Sequence, residues 1–90
     1  MSNLHENLEI AKFLGYETNA RNGQGTWFSL IKTRENDVIC LELDDNNSFK
    51  LTFYKGIIKV TSDWMGSFNM RRFIMVETQI IDIFDKVRGN

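Results

Sequence analysis

The chain contains no proline, one cysteine, one histidine and only two alanines. Each shortage excludes something. A single cysteine, Cys40, cannot close an internal disulfide, whereas small secreted domains usually rest on several, so a reducing, cytoplasmic setting is expected. Cys40 and His5 cannot by themselves complete a tetrahedral zinc site, and no metal or cofactor is expected. Unbroken apolar runs such as residues 73–76 stop at four residues. A membrane span needs about 20, so no membrane partner is expected either. Residues 1–6 lack the basic and apolar segments of a signal peptide. An excess of one charge sign is also missing: 11 Lys+Arg stand against 12 Asp+Glu, a net charge of −1. That balance argues against a histone-like DNA binder and against an acidic DNA mimic. The two alanines contrast with nine asparagines and nine isoleucines, a bias associated with A/T-rich coding sequences of phages and low-GC bacteria.

What is present describes one ordinary globular domain over residues 1–90. Hydrophobic residues make up 42% and charged residues 26%, proportions that exclude a disordered chain or a simple coiled coil. Leu4, Leu8, Ala11 and Leu14 recur at helical spacing, with Ile10 and Phe13 widening the stripe. Asn3 and Glu6 form a capping-box variant before them, and Gly15 suits the left-handed position after them. A helix over 4–14 is therefore predicted.

The apolar period then changes to two. Strands are predicted over 16–21, 27–33, 38–43, 49–54 and 57–61, separated by turn residues. Asn22-Gly23 is the dipeptide favoured in two-residue hairpin turns. Arg34-Glu35-Asn36-Asp37, Asp44-Asp45-Asn46-Asn47 and Lys55-Gly56 supply the other connections. The segment from Trp64 to Phe68 reads as an apolar loop or the start of a further strand. Phe73, Val76, Ile80, Ile83 and Val87 follow a three/four spacing, flanked by Ile81 and Phe84, with Lys86 and Arg88 near the end and Gly89 beyond. A second amphipathic helix is predicted over 77–87, extending back as far as 69. The fold class is thus α+β: an N-terminal helix, a four- to five-stranded antiparallel meander sheet and a C-terminal helix.

Alternation assigns Phe28, Leu30, Ile39, Leu41, Leu43, Phe49, Leu51, Phe53, Ile58 and Val60 to the sheet face beneath the helices. The other face would carry Trp27, Ser29, Ile31, Val38, Cys40, Glu42, Lys50, Thr52, Tyr54, Ile57 and Lys59. It is neither polar enough for a solvated sheet nor apolar enough for a core.

Catalytic patterns are weak. Cys40 lies mid-strand among apolar neighbours and His5 on a first helical turn, so a thiol–imidazole pair is not expected. Glu6/Glu9 and Asp82/Asp85 have the three-residue spacing of a wet helix face. Asp44, Asn46 and Ser48 resemble the start of a calcium loop, but Phe49 and Lys55 occupy the positions that require Gly and Glu. Gly23-Gln24-Gly25 has no following helix to hold a phosphate.

The mixed face instead suggests binding. Trp27, Ile31, Tyr54, Lys50 and Lys59, together with Trp64, Met65 and Phe68, combine aromatic and apolar bulk with a charged rim, as protein interfaces do; the alternative for Trp64 and Phe68 is that they fold over the sheet and cap the core. A non-enzymatic module docking this face and loop onto a larger protein is expected, for example a phage- or plasmid-type accessory inhibitor or regulator. Self-association as a homodimer would hide the same face. The alternative is a single-stranded nucleic-acid binder using Arg21, Trp27, Lys50, Tyr54, Lys59, Arg71 and Arg72 as an aromatic and basic surface.

Overall fold

The computed structural model describes residues 4–87. A helix, α1 (Leu4–Phe13), is followed by β1 (Glu17–Arg21), β2 (Trp27–Arg34), β3 (Asp37–Asp44), β4 (Phe49–Lys55) and β5 (Ile58–Thr61), and then by a second helix, α2 (Met70–Val87). The strands form one antiparallel meander in the order β1-β2-β3-β4-β5. This is the α+β fold that the change of hydrophobic period predicts. Asn3, Arg88 and Gly89 lie outside the described residues, as does the side chain of Val87.

Both helices end or begin as local chemistry dictates. Gly15 carries φ +98°, and the amides of Gly15 and Tyr16 donate to the carbonyls of Lys12 and Ala11. That bond pair is a Schellman cap, which satisfies carbonyls left over at the helix end. At the start of α2, Asn69 Oδ1 accepts the Arg72 amide at 2.8 Å, an N-cap bond to the third helical residue.

The core lies between the helices and one face of the sheet. Leu30, Ile39, Leu41, Leu43, Phe49, Leu51 and Phe53 from the strands meet Leu4, Leu8 and Ala11 of α1 and Phe73, Val76, Ile80 and Phe84 of α2. Phe28, Ile58 and Val60 pack against this cluster at its margin. Edge-on ring contacts join Phe49 to Phe73 and Phe68, and Tyr16 to Phe73.

The expected boundaries need several corrections. Tyr16 precedes β1 and is buried in the core. The β1–β2 connection is not a two-residue Asn22-Gly23 turn. Asn22 Oδ1 accepts the amides of Thr26 and Trp27, and the positive φ falls on Gly25; the short amide side chain adds to the backbone bonds that close the loop. Asp37 is not a turn residue but the first residue of β3, fully buried. Ile57 lies in the turn before β5 and is fully exposed, beside Gly56 at φ +57°. On α2, Phe84 is 0% exposed and Ile83 47%, the reverse of the expected stripe. Phe84 packs on Phe53 with ring centroids 5.7 Å apart, so the larger ring takes the core position. Phe13 on α1 is likewise exposed and widens no stripe.

Candidate protein-docking face

Register places the sheet's two faces without ambiguity. Trp27 pairs with Asp44, Ser29 with Glu42, Ile31 with Cys40 and Thr33 with Val38. Across the next ladder, Glu42 pairs with Lys50, Cys40 with Thr52 and Val38 with Tyr54. Beyond it, Tyr54 pairs with Lys59 and Thr52 with Thr61. All these side chains lie on the face away from the core cluster, because their neighbours in sequence form that cluster.

This open face is organised. Trp27 Nε1 donates to Glu42 Oε1 at 3.3 Å. Ser29 Oγ and Cys40 Sγ lie 3.3 Å apart, and the hydroxyls of Thr52 and Thr61 3.0 Å apart. Lys59 Nζ sits 5.9 Å from the centroid of the Tyr54 ring, at the outer reach of a cation–π contact. Ser29 and Thr52 are buried although no layer covers them; taller neighbours shield them. Val38 and Tyr54 are each 38% exposed, and Trp27, Ile31 and Cys40 are half-buried. Several polar groups near the centre therefore already have partners, and the exposed remainder mixes Val38 and Tyr54 with Thr33, Lys59 and Thr61.

The structure brings Trp27, Ile31, Lys50, Tyr54 and Lys59 together on this face, as expected. It does not bring the loop residues with them as a group. Phe68 is only 4% exposed and packs against Phe49 and Phe73. Met65 forms a bridge with Phe49 and packs against the core. Trp64 stands 45% exposed beside that bridge. The segment caps the open end of the core through Met65 and Phe68, which are turned inward, while Trp64 is not.

The basic residues also separate. Arg21 pairs with Phe28 on the helix side, because a bulge between Thr18 and Ala20 shifts the alternation of β1. Arg71 and Arg72 are exposed on the first turn of α2, which lies over the core.

Two polar clusters on the helix side were not anticipated. The Tyr16 hydroxyl donates to Glu77 Oε2 at 2.6 Å. Lys32 Nζ lies 3.1 Å from the same oxygen and 4.7 Å above the Tyr16 ring. Burial, reinforced by the Glu77 hydrogen bond, raises the Tyr16 phenol far above its ordinary pKa. At the other end, Arg34 reaches buried Asp37 and Asp85 of α2, each at 3.3 Å. Strand alternation on β2 could have signalled both: Lys32 and Arg34 continue the inward row of Phe28 and Leu30.

Other features resolve as structural. Asp44 Oδ1 accepts the amides of Asn46 and Ser48, so the calcium-like spacing serves a turn. Among the described residues, no group of three His, Cys, Asp or Glu is placed to hold a metal ion. Within the same residues, no helix is long and apolar enough to cross a membrane. A recess of about 240 Å³ beside Gly15, Glu17, Ile31, Lys32 and Thr33 lies at the end of β1. Its lysine is already engaged by Glu77, Tyr16 and the Leu14 carbonyl.

Comparison with known proteins returns nothing: no family model, curated protein or solved structure matches the chain.

Proposed function

We propose that this chain is a non-enzymatic protein-binding module whose working surface is the open sheet face, with Ile31, Val38 and Tyr54 toward one end and Trp27 at the other as its apolar residues. The observation that carries the reading is the coexistence of exposed apolar side chains with polar neighbours that are already hydrogen-bonded. Covering such a surface removes apolar area from water and strands few unpaired groups, which is the balance a protein interface requires. Docking, with inhibition or regulation of the bound protein as its consequence, is the activity such a surface provides.

The same details favour protein over single-stranded nucleic acid. The Glu42 carboxylate lies on the central strand, bonded to Trp27, where it repels phosphate. Lys59 lies against the Tyr54 ring, where a base would have to stack. Arg21, Arg71 and Arg72 belong to other parts of the surface.

Affinity capture from native lysate tests the reading. The wild-type chain and an Arg71→Ala/Arg72→Ala variant should retain the same partner, whereas Trp27→Ala/Tyr54→Ala should lose most of it. Equal recovery by the face variant would refute the choice of face. Salt-sensitive retention on oligo-dT that depends on Trp27 and Tyr54 would favour the nucleic-acid alternative.

A further inference from the structure

We draw no further inference here: the strongest candidate, the exposed patch on the first turns of α2 where Met70, Ile74 and Met75 adjoin Arg71 and Arg72, is an unpartnered helix face, and nothing in the structure shows what covers it.

Discussion

The two faces of the one sheet are built from alternate residues of the same five strands, yet they solve different problems. Beneath the helices, Leu30, Ile39, Leu41, Phe49, Leu51 and Phe53 are fully buried, and the inward charges are tied to helix residues through Lys32–Glu77 and Arg34–Asp85. On the open side the charges remain within the sheet, as in Trp27–Glu42, and the apolar residues stay partly in water. One face holds the fold together. The other should tolerate changes at its exposed positions, such as Val38 and Tyr54, with less effect on the fold. A side chain's contribution to stability thus follows from the layer opposite it more than from its own hydrophobicity.

The sharpest way to break that comparison is truncation on each face. Phe53→Ala or Phe73→Ala should destabilise the fold by about 3–5 kcal/mol through cavity formation, measured by urea denaturation. Tyr54→Ala should cost about 1 kcal/mol or less. Similar losses on both faces would mean that the open face is also core.

A second comparison runs along α2. Phe84→Ala should fall in the same range of about 3–5 kcal/mol, and its neighbour Ile83→Ala well below it, at about 1 kcal/mol or less. The reverse order would restore the stripe expected from spacing.

A smaller effect is set by pH. The unfolded Tyr16 phenol titrates near 10.0, and the folded one only at much higher pH because it is buried and bonded to Glu77. Below 10 both states keep the proton, and the stabilisation is fully present. Above 10 the unfolded state loses its proton first, so stability falls as pH rises, by up to about 1.4 kcal/mol per pH unit. Chemical denaturation at successive pH values should show this slope in the wild-type chain and a shallower one in Tyr16→Phe. Equal slopes would remove the buried phenol from the account.

Much of this was legible in the chain itself. The α1 stripe and its Gly15 stop, the five strand segments and the alternation of Phe49, Leu51 and Phe53 all follow from local periodicity, and the structure keeps them. The candidate face followed from the same alternation, which is why Trp27, Ile31, Lys50, Tyr54 and Lys59 come together. The loop did not follow. Nothing local distinguishes a Phe68 that plugs the core from one that projects outward, because the rings that receive it, Phe49 and Phe73, are supplied by β4 and α2. Ile83 and Phe84 present a similar ambiguity: both fit a helical repeat, and the choice is made by Phe53 on the sheet opposite. The β1 bulge likewise moved Arg21 to the helix side through a pairing irregularity that residue types do not announce.

The order of hydrophobic and polar residues along the backbone determined the elements, their sequence and the separation of the sheet into two faces, because side-chain direction in helices and strands is a short-range consequence of backbone geometry. Only the tertiary structure decided which residues of the Trp64–Phe68 segment cap the core. It also decided that Lys32 and Arg34 meet acidic partners from α2. Those outcomes depend on contacts between segments distant in the chain, where the burial of one side chain is set by the space another leaves.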